Sequence, residues 1–104
     1  MAQFDVYRNP DQHTCQTFPY LLDVQHNMLD ILATRLVIPL IKKSRICQPI
    51  RDLNPELVVD NTSYYLSTPE MAGVSKKLLR EPVTSLVANR SDILRAVDML
   101  TTGI

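Results

Sequence analysis

Glycine and tryptophan are scarce in this sequence, which has two glycines, Gly73 and Gly103, and no tryptophan. A loop that cradles phosphates needs a cluster of glycines, so the sequence excludes a nucleotide-binding loop of that kind. It also lacks the GxSxG turn of serine hydrolases. Proline, in contrast, occurs seven times, and we expect it to mark the ends of short elements.

Cysteine is almost as rare. Cys15 and Cys47 are far apart, and neither belongs to a CxxC pair or has a neighbouring cluster of histidines. Metal sites built on cysteine need such spacings, so we expect neither a metal nor a cofactor. Two isolated cysteines in a reducing compartment are expected to remain free thiols.

A net charge and long apolar runs are also missing. Eleven basic residues balance eleven acidic ones, so no overall field draws the protein to nucleic acid or to an anionic membrane. No apolar run approaches the roughly 20 residues that span a bilayer, and the N-terminus has no secretory pattern. We therefore expect a cytoplasmic protein without membrane contact, whose partner is another protein.

The 104 residues, 45% of them hydrophobic, are enough for one domain, residues 1–104. Period-two alternation of apolar and polar residues predicts several short strands. Pro19 favours an edge position for the second strand, while Leu36, Ile38 and Leu40 are expected to share one face of the third. The residues Asn61-Thr62 are predicted to turn a hairpin. The predicted strands are 2–7, 17–24, 34–40, 56–60, 63–67 and 73–79.

The period changes from about Val83. Ile93, Val97 and Leu100 stand at i, i+4 and i+7, which predicts an amphipathic helix at the end of the chain. Residues 41–54 carry several basic side chains and Pro49, and Pro55 follows them, so we expect an exposed connection there. Short strands followed by one helix predict a small antiparallel sheet or barrel with the helix packed against it.

Candidate catalytic groups are few. His13 and His26, the only histidines, lie in predicted loops, where a solvated histidine is the simpler interpretation. Asp23 and Asp30 could form a pair of carboxylates, although capping of turns explains them equally well. The basic run from residue 42 to residue 51 lacks the aromatic platform of an RNA-binding surface.

The end of the chain is unusual. Gly103 ends the predicted helix, and Ile104 adds an apolar side chain beside the terminal carboxylate. Asp98 lies near the negative end of the helix dipole, where an acidic residue does not stabilise a helix. These features favour a binding tip over a purely structural end.

Five segments together resemble the CcdB family of bacterial toxins. These are QFDVY, LLDVQ followed by Met28-Leu29-Asp30, TRLVIPL, MAGV and the terminal Gly-Ile, in the family's order and with similar spacings. The resemblance covers nearly the whole chain. It implies a mainly β fold, an SH3-like small antiparallel barrel with a C-terminal α-helix, and a homodimer, which the apolar face of the helix also favours.

The resemblance also implies a function without catalysis. Members of the family bind the A subunit of DNA gyrase, trap the enzyme on cleaved DNA, and are neutralised by a cognate CcdA-like antitoxin. Operator DNA is expected to be a partner only through the antitoxin complex. Carried over by position, the residues that contact gyrase are His26, Met28, Leu29, Asp98, Thr101, Thr102, Gly103 and Ile104.

The antitoxin is expected to fold on segments 8–15 and 41–52 of the toxin. An acidic peptide would be favoured there by basic side chains. The residues expected to contact the antitoxin are Arg8, Asn9, Lys42, Lys43 and Arg45.

The chain differs from the family's best-studied member at the tip. Thr101 and Thr102 stand where that member has an aromatic pair, and Asp98 stands where it has an amide. Aromatic anchors commonly dominate the energy of an interface, so a toxin that has lost its activity remains an alternative. Another alternative is an endoribonuclease with the same barrel, for which Arg35, Arg45 and the two histidines are the candidates.

Overall fold

The computed structural model describes residues 1–103 of the chain, and Ile104 lies outside them. Within these residues the chain forms seven strands, one α-helix and five short 3-10 helices. None of the described helices is long and apolar enough to cross a membrane. The strands and the helix are β1 (Asp5–Arg8), β2 (Tyr20–Asp23), β3 (Thr34–Lys42), β4 (Glu56–Val59), β5 (Thr62–Leu66), β6 (Ala72–Ser75), β7 (Thr84–Ser85) and α1 (Arg90–Thr102).

All strand pairs are antiparallel, and the sheet has the order β4-β5-β3-β2-β1-β7, with β6 also paired to β3. The strand β3 organises the sheet because its nine residues serve three neighbours. Its first half pairs with β6, its last residues pair with β5, and its middle pairs with β2. One long strand shared in this way closes the sheet into a nearly complete barrel, which confirms the predicted fold class.

The interior of the barrel is apolar, and α1 covers one side of it. Ile93 and Ala96 of the helix are fully buried against strand residues such as Val6, Leu22 and Leu40. Full burial of one such aliphatic side chain stabilises the fold by roughly 1.5–3 kcal/mol. The part of the apolar face of α1 that contains Ile93 and Ala96 is therefore used within the chain, whereas Leu100 near its end is exposed.

A second, smaller core lies on the other side of the sheet. Tyr7, Leu21, Val37 and Leu79 are buried together there. Because β2 and β3 contribute to both cores, they bury residues on both faces. Leu36, Ile38 and Leu40 were predicted to share one face of β3, and of these Leu36 is not buried. It is exposed, since the main core does not reach that end of the strand.

Pro19 does not place β2 at an edge of the sheet. The strand begins one residue later, at Tyr20, and lies between β1 and β3. The missing N–H of Pro19 therefore removes no bond of the ladder, while its carbonyl accepts a hydrogen bond from the N–H of Asn9 at 3.0 Å. The prediction of an edge strand was wrong because the proline stands just outside the element.

The predicted helical region begins later than expected. Residues 84 and 85 form β7 and pair with β1, and α1 starts only at Arg90. The N–H groups of Val83 and Leu86 donate to the carbonyls of Val6 and Phe4, at 2.7 and 2.8 Å. These bonds to β1 and to the residue before it hold the segment extended, so tertiary pairing outweighs the local pattern.

The predicted hairpin is present, with its turn one residue earlier. Val59 pairs with Thr62, which leaves Asp60 and Asn61 as the two turn residues, with φ of 52° and 64°. Both φ values are positive, as the tight hairpin turn requires, and Asp and Asn tolerate this conformation better than the β-branched Thr62. The strand predicted at 73–79 is shorter than expected, because β6 ends at Ser75 and a 3-10 helix follows.

Candidate functional site

The turn after β2 displays two of the residues predicted to bind a partner. Asn27–Leu29 form a 3-10 helix whose first turn is capped by His26, since its Nδ1 accepts a hydrogen bond from the N–H of Met28 at 3.1 Å. The side chain of Met28 is 82% exposed and that of Leu29 is also exposed. His26 therefore has a local structural role as well as a position at the rim.

The exposed apolar area extends beyond those two residues. Ile31 is 91% exposed, and Leu32 and Leu36 are exposed as well. Sequence reasoning missed these three, although the nearly unbroken apolar run from Met28 to Leu32, without strand alternation, was a signal. We call the exposed apolar residues between β2 and the start of β3 the 28–36 apolar surface; they are Met28, Leu29, Ile31, Leu32 and Leu36.

A buried arginine lies beneath this surface. The guanidinium of Arg35 is fully buried and donates to Oδ2 of Asp23 through Nε at 2.8 Å, and its Nη2 lies 2.7 Å from the same oxygen. Its Nη1 donates to Oδ1 of Asp30 at 2.9 Å, and Nη2 also donates to the carbonyl of Gln25 at 3.3 Å. Asp23 and Asp30 thus share one cation and do not form the paired carboxylates considered as an acid–base site.

The environment of Asp23 is dominated by burial. Burial raises the pKa of the Asp23 carboxyl above its ordinary value of 3.8, and the hydrogen bonds from Arg35 and from the N–H of Gln25 oppose that rise. The ion pair therefore lies in the interior, where it is closed to substrates in solution. Arg35 in particular cannot contact an RNA phosphate in this fold, because its side chain is 0% exposed.

Two further side chains secure the same turn. The amide of Gln25 donates to the carbonyl of Leu29 at 2.9 Å and accepts from the N–H of Leu36 at 3.0 Å. From the 3-10 helix after β6, the ammonium of Lys76 donates to the carbonyl of Asp30 and lies 3.4 Å from its carboxylate. The turn is thus fixed at its start, along its length and at its end.

The second group of predicted residues lies at the end of α1. Asp98, Thr101, Thr102 and Gly103 are all exposed. The hydroxyl of Thr101 donates to the carbonyl of Val97 at 2.9 Å, and that of Thr102 to the carbonyl of Asp98 at 2.7 Å. The hydroxyl protons are therefore engaged within the helix and are not offered to a partner.

Gly103 ends α1 in the left-handed conformation, with φ of 77°, and its N–H donates to the carbonyl of Met99 at 3.1 Å. Other residues are strained there, so glycine allows the chain to leave the helix at this point. Ile104, the last predicted contact, is not among the described residues. Within residues 1–103, no hydrogen bond or ion pair joins the end of α1 to the turn after β2; both are exposed, but on separate elements.

The residues predicted to bind an antitoxin are divided between two places. Arg8 lies over the ring of Tyr20, 6.0 Å from its centroid, while the amide of Asn9 donates to the carbonyl of Phe18 at 2.8 Å and shapes its loop. Beside this loop is an open cavity of about 330 Å³. It is lined by apolar residues that include Leu21 and by the rim residue Asp11.

The other three residues are exposed at the end of β3, where Lys42 is its last residue, and in the 3-10 helix Lys43–Arg45 that follows. The ammonium of Lys43 lies 3.2 Å from the Glu56 carboxylate and 5.5 Å from the centroid of the Tyr65 ring. Hydrogen bonds from the side chains of Ser63 and Lys43 lower the pKa of the Glu56 carboxyl below its usual value of 4.5. The positive charge of Lys43 adds to this effect. Lys42 and Arg45 are exposed and form no ion pair with any residue that the structure describes.

The remaining candidates for catalysis do not form a common centre. His13 lies in the exposed loop between β1 and β2, and its backbone N–H donates to Oδ1 of Asp11 at 2.8 Å. His26 caps a different turn, and Arg35 is buried. Residues 1–103 contain no group of three or more His, Cys, Asp or Glu side chains placed to hold a metal ion.

A comparison with protein families places these features in context. The family model described as "CcdB protein" matches residues 3–103, which is nearly the whole chain and includes the turn after β2, the buried Arg35 and α1. The barrel with one terminal helix agrees with the fold expected from the resemblance. The chain therefore belongs to the CcdB family and is a toxin of a toxin–antitoxin system.

Proposed function

We propose that the protein is a poison of DNA gyrase that binds the A subunit and traps the enzyme on cleaved DNA. The observation that carries the proposal is the 28–36 apolar surface, which exposes five large aliphatic side chains within nine residues of chain. Single exposed apolar side chains are common, but several within one short segment are typical of a surface that binds a partner. Burial of Met28 and Leu29 in a complex would contribute roughly 1–2 kcal/mol each.

Binding explains these residues better than catalysis does. A nuclease needs a cation for the phosphate and an acid–base pair that converge on one exposed point. Arg35, one of the two arginine candidates, is buried in an ion pair, and the histidines lie in separate loops. In this proposal the protein catalyses no reaction itself. It binds to gyrase, and gyrase performs the DNA cleavage.

The tail of α1 is the second part of the proposed gyrase contact. Threonines bury less apolar area than an aromatic pair, so Thr101 and Thr102 contribute less to binding than aromatic anchors would. The 28–36 apolar surface then carries a larger share of the affinity. Gly103 directs the chain out of the helix, and Ile104 supplies an apolar side chain at its end.

The proposed setting is the cytoplasm, with the protein as a homodimer that a CcdA-like antitoxin neutralises. The antitoxin is proposed to occupy the cavity beside Arg8 and Asn9 and to continue over Lys42, Lys43 and Arg45. The apolar walls of the cavity and the exposed basic side chains of Lys42 and Arg45 suit a disordered acidic peptide that folds on binding. Operator DNA is proposed to be bound only through the complex of toxin and antitoxin.

The proposal is tested by incubating supercoiled plasmid with gyrase, ATP and the protein, and by measuring linear DNA after removal of gyrase. We expect linear DNA with the parent protein and roughly tenfold less apparent potency for Leu29→Ser or Met28→Ser, because each loses about 1–2 kcal/mol of apolar contact. Val58→Ser is the matched control, since Val58 is an exposed apolar residue on β4, away from this turn. Equal loss with the control would refute a specific role of the turn.

Deletion of Gly103 and Ile104 tests the tail. We expect poisoning to be lost while the thermal midpoint changes little, since residues beyond a helix end make few buried contacts. His13→Ala should retain the activity, because no proton transfer is proposed; His26→Ala removes the cap of the turn and a rim contact but no catalytic group, so it should weaken poisoning and still leave a large part of it. If RNA in a parallel tube is degraded, the nuclease alternative replaces this function, and if neither nucleic acid is cut, the toxin has lost its activity.

A further inference from the structure

A network of polar side chains centred on Arg35 lies under the turn after β2. Arg35 binds groups on both sides of the turn: Asp23 and the Gln25 carbonyl at its start and Asp30 at its end. If the turn were shifted by two residues relative to Arg35, all three contacts would be lost together. The turn therefore has one conformation in which the network is complete.

Stability alone does not account for this arrangement. Removing two charges from water is unfavourable, and apolar residues of similar volume often stabilise an interior as well as a buried ion pair does. Hydrogen bonds are directional, so they define the geometry of a turn better than apolar packing does. The bonds end on the backbone and carboxylates of residues 23–30, and the exposed side chains of Met28 and Leu29 take no part in them.

Presentation of a fixed surface has a physical advantage in binding. A flexible turn with large apolar side chains would lose conformational freedom in the complex, and that loss lowers affinity. A turn held from below keeps Met28, Leu29 and Ile31 directed outward before any partner arrives.

We infer that Arg35 and Asp30 are positioning residues that hold the turn so that the 28–36 apolar surface meets its partner already ordered. This inference rests on the proposed function, in which that surface binds gyrase. Lys76 and Gln25 support the same geometry from the neighbouring 3-10 helix and from within the turn. Neither Arg35 nor Asp30 needs to touch the partner for this role.

Arg35 is a poor first target because its removal would leave the carboxylate of Asp23 buried without a partner, and the protein could unfold. Asp30 is the better choice. Its side chain is 48% exposed, so Asp30→Ala releases the end of the turn while the buried pair of Asp23 and Arg35 remains. Glu56→Ala is the control, since Glu56 is an equally exposed acidic residue whose ion pair with Lys43 lies on β4.

Three measurements separate positioning from the other roles: amide hydrogen exchange of the free protein, the thermal midpoint and the affinity for the isolated gyrase A subunit. For Asp30→Ala we expect faster exchange at residues 27–32, a midpoint within about two degrees of the parent, and an affinity about tenfold lower, because the turn must then be ordered during binding. Glu56→Ala should change none of the three by a comparable amount. Lys76→Met should reproduce the effect of Asp30→Ala in weaker form.

Each outcome decides the inference. Lower affinity with unchanged exchange would make Asp30 a direct contact, and a large fall in the midpoint with faster exchange everywhere would make it a general structural residue; either result overturns the positioning role. Unchanged exchange and affinity also overturn it. If the parent protein itself does not bind gyrase, the proposed function fails, while the exchange measurement still decides whether Asp30 holds the turn.

Discussion

The buried phenol of Tyr7 holds its proton more tightly than a tyrosine in water does. Burial raises the pKa of its phenol from 10.0 to about 12, and the nearby carboxylates of Asp5 and Asp23 add to the rise. A negative phenolate would be buried beside these acidic groups, so the neutral form is strongly preferred. The site of this phenol is the second core, close to the ion pair of Arg35.

This shift predicts how stability depends on alkaline pH. The stabilisation linked to the Tyr7 phenol is fully present below pH 10, the unfolded value, and is lost as the pH rises toward about 12, because only the unfolded chain releases the proton in that window. Titration of the tyrosinate absorbance should show a late step that Tyr7→Phe removes. The same titration in denaturant should lack the step, and a late step that survives Tyr7→Phe would contradict the assignment.

The residues around Arg35 also mark the limit of sequence reasoning at this scale. From the sequence alone, Asp23 and Asp30 are candidates for a carboxylate pair or for turn caps, and Arg35 is a candidate contact for RNA. Their true relation depends on β2 and β3 lying side by side, which brings Asp23 next to a residue 12 positions later. Local spacing does not contain that information, whereas the exposed Met28 and Leu29 were predictable because the resemblance carried them by position.

At the scale of elements, the hairpin between β4 and β5 depends on two residues with positive φ. We predict that Asn61→Val lowers the free energy of unfolding by about 1–2 kcal/mol, because a β-branched side chain is strained in the left-handed region. Urea unfolding measures the change. Thr62→Val is the control, since Thr62 already lies in β5, where a β-branched residue is favoured, and it should be nearly neutral. A neutral Asn61→Val would show that the turn adapts.

Elements with strong local signals were predicted well, and those fixed by distant partners were not. The third strand and the hairpin follow from β-branched residues and period two. The start of α1 did not, because residues 83–86 form hydrogen bonds with β1 instead of continuing the helix. The first strand was placed too early for a related reason: Phe4 has φ of 73°, which interrupts an extended chain that its residues otherwise favour.

At the scale of the whole molecule, the balanced net charge conceals an uneven distribution. The end of β3 and the segment after it are basic, yet Lys43 is already paired with Glu56, which leaves Lys42 and Arg45 as the side chains offered to an acidic peptide. We predict that binding of the antitoxin weakens between low and moderate salt. Arg45→Gln should reduce this salt dependence more than Lys43→Gln, as measured by affinity at several salt concentrations. A salt-independent affinity would count against this segment as part of the contact.

Assembly is the other property of the whole molecule. We predict a homodimer at micromolar concentration, as the family resemblance implies and as exposed apolar residues outside the 28–36 apolar surface, such as Val87 and Leu100, permit. Sedimentation over a range of concentrations measures the mass of the assembly, and we expect the dimer to dissociate on dilution. A species with the mass of a single chain throughout that range would contradict the prediction.

The packing of α1 has a consequence for anyone who would copy this toxin as a drug lead. The helix has 13 residues, close to the length at which isolated peptides are barely helical in water, and it owes its form to Ile93 and Ala96 in the barrel. A synthetic peptide of the last residues alone would therefore be mostly unfolded. Useful mimics would need a covalent staple across the face that these two residues occupy, leaving the opposite side free to meet the target.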